Sequence, residues 1–138
     1  MVETPKELDW VQERANCELK TAFASLQTAV ERDVADYNAI FKTSGNSEIV
    51  LINRAAHLDF NVYRKGEPEG IVTFGIVGDH IAIRDPWSRQ TFDAIPVLAS
   101  DGRCKFQVGA EEMELWQLRR ATLEGLFFGP SHRQFITG

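Results

Sequence analysis

The chain has 138 residues, of which 43% are hydrophobic and 25% charged, ordinary values for one globular domain with its own core. Its net charge of −5 opposes wide contact with nucleic acid or anionic membranes, and no apolar run reaches the roughly 20 residues that span a bilayer. Two cysteines make neither a disulfide framework nor a four-ligand zinc site, and Met1 to Asp9 lacks the layout of a signal peptide. We therefore expect a single domain over residues 1–138 in the reducing cytoplasm, with no metal or cofactor.

The first forty residues carry the pattern of one long amphipathic helix, predicted from Pro5 to Lys42. Thr4-Pro5 is a helix start, and no glycine or proline follows before Gly45. Apolar side chains recur every eleven residues, which is three helical turns, so they form one stripe along the helix. The stripe consists of Leu8, Ala15, Leu19, Phe23, Leu26, Val30, Val34, Tyr37 and Phe41.

After this helix the period of the apolar pattern changes from 3.6 to 2, which predicts β-strands. About six strands are expected, joined by loops too short for parallel crossovers, so the sheet should be an antiparallel meander. Gly78-Asp79 is a two-residue hairpin turn that pairs Val77 with His80. Pro96 marks an edge position or a bulge in its strand.

One face of the predicted sheet is apolar, and the long helix should cover it. Its residues are Leu58, Phe60, Val62, Val72, Phe74, Ile76, Ile81 and Ile83, extended by Cys104, Phe106 and Val108. The expected register sets Val62 near Phe74. Glu111 to Phe128 returns to a helical pattern, with a stop at Gly129-Pro130 and a loose tail over residues 129–138. The predicted fold class is α+β: a long N-terminal helix packed across an antiparallel sheet, plus a C-terminal helix.

No catalytic or nucleotide-binding signature is present, neither a Walker loop, GxGxxG, HExxH nor a nucleophile elbow. The first candidate site is the polar face of the sheet. There the expected register places Asp59 in one row with His80, and Tyr63 in another row with Arg84. Asp59 would orient His80 as a base or a metal ligand, and Arg84 would receive an anion. The alternative is a solvated or helix-covered face, because the two outer strands lie about 9.5 Å apart.

Two charged residues with apolar neighbours form a second candidate site. Asp33 lies at the edge of the helix stripe, and Arg119 lies among apolar residues of the last helix. We expect a structural ion pair, or an Arg119 head group that extends to water; alternatively, Arg119 binds a small anionic ligand. In the loop at residues 85–89, Trp87 beside Arg89 suits a binding surface, although a tryptophan folded over the core is equally expected.

The back of the long helix carries a line of mostly small residues instead of a fully charged face. The line consists of Trp10, Cys17, Thr21, Ala24, Thr28 and Ala35. Small residues let a second helix approach closely, so the line predicts a twofold homodimer or a contact with the C-terminal helix. The alternative is that these small residues simply occupy a solvent-exposed face of the helix and contact no partner. Because Cys17 lies opposite the stripe and Cys104 faces the core, no disulfide between them is expected.

These patterns predict a non-catalytic binding or assembly module that acts through protein–protein contacts, homodimeric ones first. The alternative is a small enzyme or a ligand-binding protein that uses the sheet face around Asp59, His80 and Arg84. A water-accessible pocket that holds at least two of these three groups would favour the alternative.

Overall fold

The computed structural model describes residues 7–41, 48–54, 58–66, 70–85 and 90–137, with the backbone alone at residue 90 and over residues 129–137. Its helices are α1 (Trp10–Asn16), α2 (Leu19–Phe41) and α3 (Leu115–Thr137). Its strands are β1 (Ile49–Arg54), β2 (Asp59–Arg64), β3 (Ile71–Val77), β4 (His80–Asp85), β5 (Gln90–Leu98), β6 (Cys104–Val108) and β7 (Glu111–Met113). The predicted α+β fold is confirmed, with a seventh strand in addition to the six expected.

The strands form one antiparallel sheet in chain order, so each strand pairs with the next. The predicted hairpin between β3 and β4 is confirmed, and Gly78 supplies its positive φ of 61°. The predicted register between β2 and β3 is wrong by two residues, because Val62 pairs with Val72 rather than with Phe74. A shift by two leaves every side chain on its predicted face, so the apolar face is unchanged.

The predicted long helix is two helices. The proposed start at Thr4-Pro5 lies outside the described residues, and α1 begins only at Trp10. Asp9 is its N-cap, and the Asp9 carboxylate accepts a hydrogen bond from the backbone N–H of Gln12 at 3.1 Å. The chain then bends at Cys17, which ends α1 before α2 begins.

A disulfide joins this bend to the start of β6. Cys17 is bonded to Cys104, with their Cα atoms 5.3 Å apart, so the prediction of no disulfide is wrong. That prediction assumed one straight helix, on which Cys17 points away from the sheet. The bend removes this constraint. The backbone N–H of Cys17 donates to the carbonyls of Glu13 and Arg14, at 3.1 and 3.2 Å, which closes the last turn of α1.

The core lies between one face of the sheet and the two long helices. As predicted, the middle of the stripe is buried; its residues are Phe23, Leu26, Val30, Val34 and Tyr37. Leu118, Leu123 and Leu126 of α3 belong to the same buried cluster, so α3 packs beside α2 on the same face of the sheet. Leu58 is the exception on the sheet side, because it lies outside β2 with φ 53° and is 44% exposed.

The boundaries of α3 differ from the prediction at both ends. Glu111–Met113 is strand β7, not the first turn of a helix, and α3 begins at Leu115. The Gln117 side chain accepts a hydrogen bond from the backbone N–H of Glu114 at 2.8 Å, which is half of a capping box. At the other end α3 continues to Thr137, so the predicted stop at Gly129-Pro130 and the loose tail after it are wrong.

A buried arginine supports α3 where the helix was predicted to end. Pro130 has no backbone N–H, so the carbonyl of Leu126 lacks its usual helical donor. Arg64 Nη2 donates to Leu126 O at 2.7 Å and to Phe127 O at 2.6 Å. The Arg64 guanidinium also lies 5.9 Å from the centre of the Tyr37 ring. Charge-assisted hydrogen bonds thus replace the one that the proline removes.

Candidate ligand-binding groove

The first predicted row on the polar face of the sheet is wrong. Asp59 pairs with Gly75, which pairs with Ala82, whereas His80 pairs two residues further along β3. The Asp59 Oδ1 atom is buried and has no hydrogen-bond partner within the described part of the chain. The Nε atom of Arg54 lies 3.7 Å from it. Asp59 therefore does not orient His80.

His80 lies between two other carboxylates. Its Nδ1 is 3.1 Å from Asp79 Oδ1, and its Nε2 is 3.4 Å from Asp93 Oδ1. The hydrogen bond with His80 is the main cause that holds the pKa of Asp79 below its ordinary value. Asp79 is an exposed hairpin residue, so this contact is a surface interaction.

The second predicted row is also wrong. Tyr63 pairs with Ile71, whereas Arg84 pairs with Thr73 and is exposed. Trp87 lies outside the described residues. In the described ranges, no three histidine, cysteine or acidic side chains are grouped so that they could hold a metal ion. The sheet face therefore does not bring the predicted residues together.

A groove of about 450 Å³ lies between α2 and α3, within the size range of small-molecule sites. Its apolar lining consists of Tyr37, Ile40, Phe41, Trp116, Leu123, Phe127 and Phe128. Ile40, Trp116 and Phe128 are 62%, 50% and 46% exposed. Large apolar side chains with this exposure, gathered around one groove, are typical of a binding surface.

Aromatic rings build one wall of the groove. The Tyr37 ring centre is 5.0 Å from that of Phe41 and 5.1 Å from that of Phe127. The rings of Phe41 and Phe128 meet edge to face at 5.4 Å. Such packed rings hold one another in place, so this wall is formed before any ligand binds.

The predicted ion pair between Asp33 and Arg119 also lines the groove. Arg119 Nε donates to Asp33 Oδ2 at 2.6 Å, and Arg119 Nη2 donates to Asp33 Oδ1 at 3.3 Å. The contact is bidentate and joins α2 to α3 across 86 positions of sequence. Nearby, Arg120 Nε donates to Glu124 Oε2 at 3.2 Å on the rim.

A second pocket, of about 420 Å³, adjoins this groove, because Trp116 and Arg119 line both. Its charged lining consists of Arg32, Arg103, Lys105 and Arg119 with Glu13 and Glu114. We call it the basic pocket. The indole N–H of Trp116 donates to the Glu114 carboxylate at 3.0 Å, which fixes the ring between the two cavities.

Lys105 belongs to a small charge network at the edge of the basic pocket. Its Nζ lies 3.1 Å from Asp101 and 3.9 Å from Glu112. The hydrogen bond to Asp101 is the main cause that raises the pKa of Lys105. The pKa of Asp101 is lowered first by the backbone N–H of Arg103 and then by the hydrogen bond from Lys105. Lys105 is therefore a cation whose charge is already shared.

The line of small residues on the back of the helix is interrupted by the bend at Cys17. Thr21, Ala24, Thr28 and Ala35 are exposed on α2. Cys17 is buried in the disulfide, so its assignment to an interface is wrong. Trp10 is exposed but lies on α1, beyond the bend.

The sequence signals for the groove were weak. Trp116 and Phe127 lie within the predicted helical segment Glu111 to Phe128, but Ile40 falls outside the eleven-residue stripe. Arg64 has a clearer signal in the sequence, although the predicted core does not include it. It continues the alternation of Phe60 and Val62 and so takes a core-facing position.

Comparison with protein-family models, with curated proteins and with solved structures gives no significant match. Within the described residues, no helix is long and apolar enough to cross a membrane. The site is therefore inferred from the geometry of this chain's own side chains.

Proposed function

We propose that this protein is a non-catalytic binding module that holds the apolar part of a small-molecule ligand in the α2–α3 groove. The observation that supports this most is the gathering of three exposed apolar side chains, Ile40, Trp116 and Phe128, around one aromatic-walled groove. Leaving such side chains in water is unfavourable, and a ligand that covers them gains the free energy of apolar burial.

The charges around the groove favour binding over proton transfer. General acid–base catalysis needs a titratable group within reach of the reacting atom. Two of the three carboxylates that line the groove, those of Asp33 and Glu124, are instead bonded to Arg119 and Arg120, and the third, Asp36, is exposed to solvent. Their arrangement suits the polar rim of a binding site.

We expect Ile40→Asp to weaken binding of the neutral amphiphile octyl glucoside by at least about tenfold, because a carboxylate in the apolar lining opposes burial of the chain. Isothermal titration calorimetry below the critical micelle concentration measures this. Ile52→Asp, on the exposed face of β1, is the matched control and should keep the wild-type affinity. A wild type that binds no octyl glucoside, or an equal loss in both variants, contradicts the proposal.

A twofold homodimer through the exposed face of α2 is the second candidate. In two antiparallel copies whose axis passes Thr28, Thr21 of one copy faces Ala35 of the other. The same register sets Lys20 against Asp36, and both residues are exposed. These opposite charges favour the antiparallel arrangement over a parallel one, in which each charged residue would face the same residue of the other copy. Closed twofold pairs are also the commonest assembly.

Ala24→Arg should convert such a dimer into a folded monomer, because a long charged side chain keeps the two helices apart. Light scattering measures the mass, and an unchanged circular dichroism spectrum shows that the fold is kept. Ala121→Arg, exposed on α3, is the control that should stay dimeric. Wild-type protein that is already monomeric at high concentration excludes this candidate.

The cytoplasmic location expected from the sequence stays a prediction, and the disulfide between Cys17 and Cys104 weighs against it. Cytosolic thiols are kept reduced, whereas oxidising compartments preserve disulfides. Alkylation of free thiols in intact cells, followed by mass spectrometry, distinguishes the two. Alkylated cysteines support the cytoplasm, and protected cysteines support an oxidising compartment.

A further inference from the structure

We propose that the ligand of the α2–α3 groove is a free amphiphile with an anionic head group, whose apolar chain lies in the groove and whose head group lies in the basic pocket. This inference rests on the proposed function of the groove. It adds the chemical class of the head group and the residues that receive it.

The two cavities are adjacent and chemically different. Trp116 and Arg119 line both, so a ligand needs to pass only this pair of side chains to occupy the two cavities together. One cavity offers aromatic and aliphatic walls, whereas the other offers four basic and two acidic side chains beside a few apolar ones. A molecule with a hydrocarbon part and a charged part at one end matches this division.

The basic pocket presents positive charge to an anion at two of its four basic side chains. Arg119 and Lys105 are bonded to carboxylates that lie outside the pocket lining, so the local positive field comes from Arg32 and Arg103. The pocket also includes Leu115 and Trp116, the first residues of α3. The positive end of that helix dipole adds to the same local field.

Two of the four cations are available to a ligand. Arg119 is held by Asp33, and Lys105 is shared between carboxylates. Arg32 and Arg103 are exposed, and no ion pair within 4.0 Å involves either guanidinium among the described residues, although the charge of Arg103 also helps to lower the pKa of Asp101. A phosphate or carboxylate head group would receive charge-assisted hydrogen bonds from them.

Octyl phosphate and octyl glucoside share a chain and differ in head-group charge, so their affinities separate the two parts of the proposal. At low ionic strength and below both critical micelle concentrations, we expect octyl phosphate to bind at least about tenfold more tightly, because its head group accepts charge-assisted hydrogen bonds. The difference should shrink as sodium chloride is added, since the pocket is open to solvent.

Arg103→Glu and Arg32→Glu should each remove most of this preference, because each replaces a donor to the anionic head group with a carboxylate that repels it. Arg84→Glu makes the same change of charge on the exposed face of β4 and is the matched control, which should keep the preference. Calorimetric titrations of the four proteins with both probes give the comparison. Inorganic phosphate, tested alone, should bind far more weakly than octyl phosphate, because it lacks the chain.

Equal affinities for the two probes, or the same loss in Arg84→Glu as in Arg103→Glu, would overturn the anionic head group. If the wild type binds octyl glucoside and Ile40→Asp still weakens that binding, the proposed function of the groove stands even so. If the wild type binds neither probe, both proposals fail. If the protein sediments with phosphatidylglycerol vesicles but does not bind octyl phosphate, its ligand is a membrane surface instead, and the inference is contradicted.

Discussion

Replacing both cysteines, Cys17→Ser together with Cys104→Ser, should lower the free energy of unfolding by about 2–5 kcal/mol. The disulfide closes a loop across 87 positions of sequence, so in the chain-entropy account it restricts the unfolded state strongly. It also anchors α1, which has no buried residue of its own. A seven-residue helix is too short to persist without such an anchor.

Denaturant titration of the oxidised wild type and the double variant measures this loss. The wild type with reductant should approach the stability of the double variant, and the variant itself should not respond to reductant. A loss below about 1 kcal/mol would contradict the role given to the disulfide, since it falls under the usual range. Two reactive thiols in the wild type without reductant would also contradict this role.

Leu26→Ala should lower the free energy of unfolding by about 2–5 kcal/mol, because a fully buried leucine leaves a cavity when it is truncated. Leu26 is 0% exposed at the middle of α2, in the same buried cluster as Phe23 and Val30. Urea titration with an unchanged slope isolates the effect on stability.

Ile40→Ala, on the same helix, is the matched control for Leu26→Ala. Ile40 is largely exposed, so its truncation should change stability by less than about 0.5 kcal/mol. If the two variants lose similar amounts of stability, the buried face of α2 has been assigned wrongly.

Periodicity predicted the parts of the fold that depend on one element at a time. The stripe of α2 follows from side chains that repeat at helical spacing, and Phe23, Leu26 and Val30 are buried accordingly. The hairpin at Gly78 fixes its own register, because a two-residue turn leaves no freedom. The connection from β2 to β3 is longer, and a shift by two residues preserves both faces, so the pattern could not decide there.

The structural features that depend on two distant elements were harder to predict. No residue near Cys17 is a helix breaker, so the bend at the disulfide had no signal in the sequence. The pair of Asp33 and Arg119 was predictable, because each charge lies beside an apolar stripe and a buried charge needs a partner. The groove was not predictable, since it depends on how far apart α2 and α3 lie at Ile40 and Trp116.

The α2–α3 groove and the basic pocket together form the proposed binding site, and NMR shift mapping tests this proposal most directly. In a titration of ¹⁵N-labelled protein with octyl phosphate below its critical micelle concentration, the largest shifts should fall on the indole N–H of Trp116 and on the backbone amides of Ile40 and Arg103. These three residues line the two cavities. Shifts centred on His80 and Arg84 of the open sheet face, with the Trp116 indole unchanged, would contradict the account.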